Sequence, residues 1–185
     1  MDFFYVPIIS VVLIVGARLM EMGKNRGTIP GKVHETLTFR LLLSIGTTIA
    51  ALSIVEYTCL RHWLSWPCLS IGWGFALSSF ALRRRAIAAL GKFWSLHVEI
   101  RQEHVFVRHG PFRFMRHPAY FSMILELLAL TTICRAWYTM LAIPLFYVPV
   151  LRYRIRIEEA ALIEKFGDAY SEFRRTTPAL FPRPW

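Results

Sequence analysis

Five stretches of this chain are too apolar to be covered by its own polar residues in water: roughly 3–20, 37–60, 64–82, 118–134 and 136–151. At ~1.5 Å per helical residue, each comes close to or exceeds the length needed to cross a ~30 Å hydrocarbon layer. Of the 185 residues, 55% are hydrophobic and only 18% charged, below the ~25% charged typical of a soluble domain. That much apolar surface excludes a disordered chain. It also argues against a soluble nucleic-acid binder despite a net charge of +10, because too little polar sequence is left to clothe a water-facing surface. The expected fold is therefore all-α. It is a polytopic membrane protein of about five transmembrane helices, a single domain over 1–185. The last two spans, the shortest, form a hairpin over 118–151 that turns at Arg135.

The basic residues give the expected orientation. If all five stretches cross, one side receives the segment after the first helix, the segment 83–117 and the tail from Arg152. The other side receives the N-terminus and the turns at Arg61–His62 and Arg135. All but Arg61 and Arg135 of the 22 Lys and Arg residues then fall on the first side or at its helix ends. An excess of positive charge marks the cytoplasmic side, so the N-terminus is expected outside and the C-terminus inside. This sorting explains the net charge by contact with membrane lipids, with no nucleic acid. No Lys or Arg precedes Phe3, so the first helix is expected to be retained rather than cleaved as a signal peptide.

Two carboxylates lie in or near spans. Glu56 sits close to the outer end of the second helix, within reach of water. Glu126 lies about two turns into the fourth, where an ionisable group is costly and marks a candidate functional residue. It is a candidate acceptor-binding residue, or else a hydrogen-bonded structural glutamate facing the bundle. Cys59, Cys68 and Cys134 form no CxxC and no metal spacing. They read as free thiols, with a Cys59–Cys68 bridge as the alternative. His97, His104 and His109 match no common zinc pattern, and no metal is expected.

The chemistry-bearing residues cluster in the second half. There is no glycine-rich nucleotide loop and no GxSxG elbow. Instead four features surround the hairpin. They are Leu90-Gly91-Lys92-Phe93-Trp94; His104 to Phe112, which includes Val105, Phe106, Val107, Gly110 and Pro111; Arg116-His117-Pro118-Ala119-Tyr120; and Arg154 with Glu158-Glu159, followed by Phe166-Gly167 and Tyr170. Pro118 suits a first helical turn, with His117 near the cap. A helix start at the membrane surface is either a cap and anchor or an anion site, and Tyr120 and Phe112 offer aromatic faces for a cation. Arg154 and Glu158, spaced i, i+4, form a surface ion pair or hold opposite charges of ligands. Glu159 points about 100° away and reads as a solvated or structural partner. Phe166, Tyr170 and Phe173 form the buried face of a tail helix lying against the membrane.

Together these features resemble the isoprenylcysteine carboxyl methyltransferase family of membrane enzymes, whose signature they follow in order from Leu90 to Tyr170. A related set of motifs occurs in phosphatidylethanolamine N-methyltransferases, and the LGKFW element favours the carboxyl branch. The resemblance implies S-adenosyl-L-methionine as cofactor. It implies that the half from 83 to 185 binds that cofactor through His104, Val105, Phe106, Val107, Phe112, His117, Pro118, Ala119, Tyr120 and Glu158. Arg154 is then the catalytic residue facing the methyl acceptor, a lipophilic small molecule or a prenylated cysteine. Phe112 replaces the common Tyr, and Ser122 stands where Gly often follows the RHPxY motif. The short chain resembles the bacterial branch, which implies a bacterial inner membrane and acceptors that include acidic enols such as alkylpyrones. A phospholipid N-methyltransferase and a catalytically degenerate membrane scaffold are the alternatives.

Overall fold

The computed structural model describes residues 3–23, 32–91, 98–100 and 107–181. Helix α1 spans Tyr5–Gly23, α2 Leu37–Cys59, α3 Trp66–Leu90, α4 Pro118–Ile133, α5 Trp137–Met140, α6 Val148–Phe166 and α7 Asp168–Thr176. A 3-10 turn occupies Gly110–Arg113 and a π turn Ile143–Tyr147. The expectation of a helical fold holds, with one addition. Strands β1, Lys32–Glu35, and β2, Val98–Ile100, pair antiparallel with Lys32 opposite Ile100. They join the segments that follow α1 and α3, the two that the charge pattern assigns to a common side.

Two helices, α1 and α2, are each long and apolar enough to cross a membrane, and α4 is apolar but has 16 residues. Only 22% and 28% of the apolar windows of α1 and α2 are buried inside the protein, whereas a soluble core helix would be mostly buried. Their outward residues include Val12, Leu13, Leu41 and Val55, and the hairpin adds Leu145 and Phe146. An apolar outer surface of this extent needs a non-aqueous neighbour.

Several helix ends differ from expectation for local reasons. The third helix runs past Leu82 to Leu90, because Arg84 to Leu90 are good helix formers. It stops at Gly91, whose φ of +52° disfavours a side chain. Ser65 caps its start by accepting from the Cys68 amide at 3.4 Å. The hairpin turns at Arg135 as expected, with φ +53°. Its second arm runs past the apolar span ending at Leu151, as the i, i+4 spacing of Arg154 and Glu158 requires, and ends at Phe166. Pro144 has no N–H for the carbonyl of Met140, so the ladder shifts into the π turn before α6 begins.

The core lies where α3 and α4 meet. Gly72, Ala76 and Ser79 are buried on α3, with Ser122, Ala129 and Ile133 buried on α4. Small residues let the two backbones approach, as in membrane helix pairs. A Cβ at Gly72 would collide with Ile133 Cγ1 and touch the Ala129 carbonyl at 3.0 Å.

Arg83, where the segment expected on the cytoplasmic side begins, is 1% exposed, one turn further along this seam. Its Nη2 binds Glu126 and, at 3.1 Å, Ser79 Oγ. Its Nε donates to Ser122 Oγ at 3.0 Å and its Nη1 to Glu21 at 3.1 Å. Arg18 adds contacts of 3.4 Å to Glu21 and 4.0 Å to Glu126. Among the described residues, two arginines and two glutamates thus form a network joining α1, α3 and α4. Glu56 does not simply reach water. Its carboxylate accepts from the Tyr138 and Thr139 amides and the Thr139 hydroxyl, at 2.7–3.2 Å, and fastens α2 to the start of α5. All three cysteines are free, and Cys59 is exposed.

Candidate active site

The site is built where the start of α4 meets the middle of α6. Pro118, fully buried, opens α4 and leaves no amide of its own unpaired. The residues before it are pinned by the chain's tail. The amides of Arg116 and His117 donate to the carbonyls of Pro178 and Ala179, both at 2.9 Å. Arg116 Nη1 also donates to the Arg174 carbonyl at 2.8 Å and to that of Thr177. His117 therefore enters α4 in a fixed direction. Its ring stacks on Tyr120 one turn later, with centroids 5.4 Å apart and planes at 14°.

The two adjacent glutamates of α6 have different surroundings. Glu159 is 5% exposed. Its Oε1 takes Arg116 Nη2 at 2.7 Å and His117 Nε2 at 3.1 Å, and its Oε2 takes Arg174 Nε at 3.1 Å. Burial alone would raise its pKa, but His117 and Arg116 outweigh burial and hold the carboxyl below its ordinary value. Glu159 is thus a structural partner, not a solvated one. Glu158 has a side chain 31% exposed and accepts the Tyr120 hydroxyl at 2.6 Å, with His117 Nδ1 3.9 Å away. It keeps an open side that can receive a cation.

Arg154 lies one turn before Glu158 and is 3% exposed. Its Nε donates to the Tyr120 hydroxyl at 2.8 Å, and its Nη1 to Thr38 Oγ1 at 3.1 Å. The guanidinium lies 5.7 Å from the Tyr120 ring and 5.8 Å from the Phe39 ring. One phenolic hydroxyl therefore links the two charged residues. This is a buried junction, not an exposed i, i+4 ion pair.

The remaining predicted positions are dispersed. Ala119 is partly buried in the first turn of α4. Phe112 is buried in the 3-10 turn, which packs against α3 with Gly110 near Ala89 at that helix's C-terminal end. Val107 is partly buried at the start of that segment. His104, Val105 and Phe106 lie outside the described residues. Glu126 belongs to the Arg83 network rather than to the Tyr120 junction. Tyr170 and Phe173 are buried on α7 as expected, packed edge to face, but Phe166 does not share that helix: it ends α6 and is only partly buried; Arg108 covers Phe173 while donating to the Ala169 carbonyl. Sequence reasoning gave no role to Arg116, Thr38 or Phe39. Arg116 stood in the quoted motif, but nothing local marked the other two.

Residues 72–164 match the model of the isoprenylcysteine carboxyl methyltransferase (ICMT) family. The chain belongs to this family. The matched stretch runs from the close contact at Gly72 through the junction of Tyr120, Arg154 and Glu158, and excludes α1 and α2. Among curated relatives, an uncharacterized protein of Bacillus subtilis, YpbQ, is 34% identical over 88 residues, covering 48% of this chain and 52% of its own. The protein-S-isoprenylcysteine O-methyltransferase of Tribolium castaneum is 31% identical over 121 residues, 62% of this chain and 40% of its own. The cobalt-zinc-cadmium resistance protein CzcN of Cupriavidus metallidurans is 29% identical over 99 residues, 53% and 45% of the two chains. The chain spans about half the length of the curated relatives it matches.

Proposed function

We propose that this ICMT-family protein is an S-adenosylmethionine-dependent methyltransferase. In this reading it O-methylates a lipophilic acceptor, a prenylcysteine-type carboxylate or an acidic enol, at the cytoplasmic face of a membrane. The observation that carries the reading is the junction in which Tyr120 holds a buried Arg154 beside a half-open Glu158. One cation and one anion, a single helical turn apart, match an anionic acceptor and a cationic donor.

The residues present fit the cofactor. Glu158 offers a carboxylate with an open side for an ammonium, and the stacked His117 and Tyr120 offer aromatic faces to a sulfonium. The family resemblance assigns Ala119, Phe112, His104, Val105, Phe106 and Val107 to that side as well. S-adenosylmethionine supplies an electrophilic methyl group. Arg154 binds and orients the acceptor oxygen. A carboxylate with a pKa near ~4 is already ionised at pH 7, so no side chain has to take a proton. The residues act by positioning the oxygen and excluding water. Glu126 has no part in this reading, since Arg83 already holds its carboxylate.

The reading includes five spans, with the N-terminus outside and the C-terminus in the cytoplasm. The acceptor then enters sideways from the bilayer and the donor from the cytoplasm. The bacterial inner membrane is the expected setting.

The test incubates total membrane lipid extract with methyl-labelled S-adenosylmethionine and the purified protein, alongside Arg154→Ala. A labelled methyl ester, which is base-labile, or a labelled enol ether, which resists base and is cleaved by acid, is expected. Arg154→Ala should lower single-turnover labelling at least ~100-fold, the loss of a buried charged partner, with cofactor affinity little changed. Retained labelling by the variant, or a base-stable methylamine product, refutes the assignment.

A further inference from the structure

We propose that Thr38 is a positioning residue for Arg154, through which the N-terminal half of the chain orients the methyl acceptor. The proposal rests on the acceptor role given to Arg154 above. Thr38 lies in the first turn of α2, outside the matched stretch 72–164. It is 2% exposed, and its hydroxyl oxygen accepts from Arg154 Nη1 at 3.1 Å across 116 residues of sequence.

Each added contact on a planar guanidinium narrows the directions in which its fork can point. Tyr120 is the first point, at Nε. Thr38 is the second, at Nη1, on another helix. Among the described contacts, these two engage different nitrogens and so restrain the in-plane direction of the fork. The Phe39 ring, next along α2, adds a cation–π contact at 5.8 Å. The inner end of α2 is thus part of the acceptor side. The cofactor side draws on the start of α4 and on Glu158, all within the matched stretch. Loss of the Thr38 hydroxyl should disturb acceptor alignment and leave donor binding intact.

Two substitutions separate hydroxyl from shape. Thr38→Val keeps the shape and removes the hydroxyl; Thr38→Ser keeps the hydroxyl and removes a methyl group. Each is assayed for labelling across a series of total-lipid-extract concentrations, for S-adenosylmethionine affinity, and for thermal unfolding in detergent. Thr38→Val is expected to lower kcat/KM, expressed per extract concentration, ~10–100-fold, with cofactor affinity within about twofold of wild type. Thr38→Ser is expected to stay within about threefold on both measures. A Val variant equal to wild type overturns the proposal. So does parallel loss of cofactor affinity, or a Ser variant that loses activity, since packing would then be what matters; the Ser result stands even if the Val variant does not fold. No labelling by the wild-type protein overturns the methyl-transfer reading and this inference with it. Normal wild-type labelling with an unaffected Val variant overturns this inference alone.

Discussion

Replacing Arg83 with methionine removes the hub of the buried charge network and, among the described residues, leaves Glu126 only the more distant Arg18. Arg83 is 1% exposed, and the side chains of Glu21 and Glu126 are 15% and 11% exposed. Water therefore cannot replace the lost guanidinium. Glu126 would keep a cation only at 4.0 Å, against a direct hydrogen bond before. Breaking a buried pair by removing one partner costs about 3–5 kcal/mol, which for a chain of this size corresponds to a fall of roughly 6–20 °C in Tm. Glu126→Leu alone should also destabilise, because it strands part of Arg83. The double variant Arg83→Met/Glu126→Leu removes both charges from the α3–α4 seam and leaves the Arg18–Glu21 pair at 3.4 Å. Hydrophobic replacement of a complete buried pair is often neutral or stabilising, so it should recover at least ~2 kcal/mol relative to the sum of the single changes. The assay is a double-mutant cycle by thermal unfolding in one detergent. Additivity within ~0.5 kcal/mol would refute the network as a coupled unit.

Glu159 gives the pH prediction. Its carboxyl is held below its ordinary value of 4.5, so its contribution to stability is fully present above that pH and is lost as pH falls through the lower folded value. Glu159→Gln should lower Tm at pH 7 and flatten the fall in Tm below pH 4.5, and an acid limb as steep as wild type would remove Glu159 from that role. At the helix seam, Gly72→Ala should cost about 1–3 kcal/mol through collision with Ile133 and the Ala129 carbonyl. Gly74→Ala, where no atom outside its own helix lies within 4 Å of the added Cβ, should be neutral or slightly stabilising. Equal unfolding temperatures for these two variants would contradict the close approach of α3 and α4.

What the sequence disclosed follows from which signals are local. Apolar runs announce helices because burial or lipid contact is set by each stretch's own composition. Pro118 and Arg135 marked a helix start and a turn for similarly local reasons. Helix ends in polar stretches were less legible. The extensions to Leu90 and Phe166 are amphipathic or charged, and their stop signals, Gly91 and Gly167, are single residues. Strands β1 and β2 escaped notice because a pairing between residues 32–35 and 98–100 leaves no periodicity in either segment. The partners within the site and within the buried charge network were hidden for the same reason. Thr38 meets Arg154 across 116 residues, and Arg83 meets Glu126 across 43.

The adjacent glutamates show where this distinction bears on chemistry. In the sequence, Glu158 and Glu159 differ only by one step of ~100° around a helix. That step turns Glu159 toward Arg116, His117 and Arg174, which occupy both of its oxygens. It turns Glu158 toward Tyr120 and leaves part of its carboxylate open. Only the second is available to a ligand without first breaking a buried ion pair. Helix geometry predicts that the two differ, but the environment that decides which stays partly open and which braces comes from α4, α7 and the tail after Thr176. The tail's carbonyls at Thr177, Pro178 and Ala179 hold Arg116 and His117 in place. The motif around Pro118 therefore owes its working shape to residues beyond the stretch by which its family is recognised.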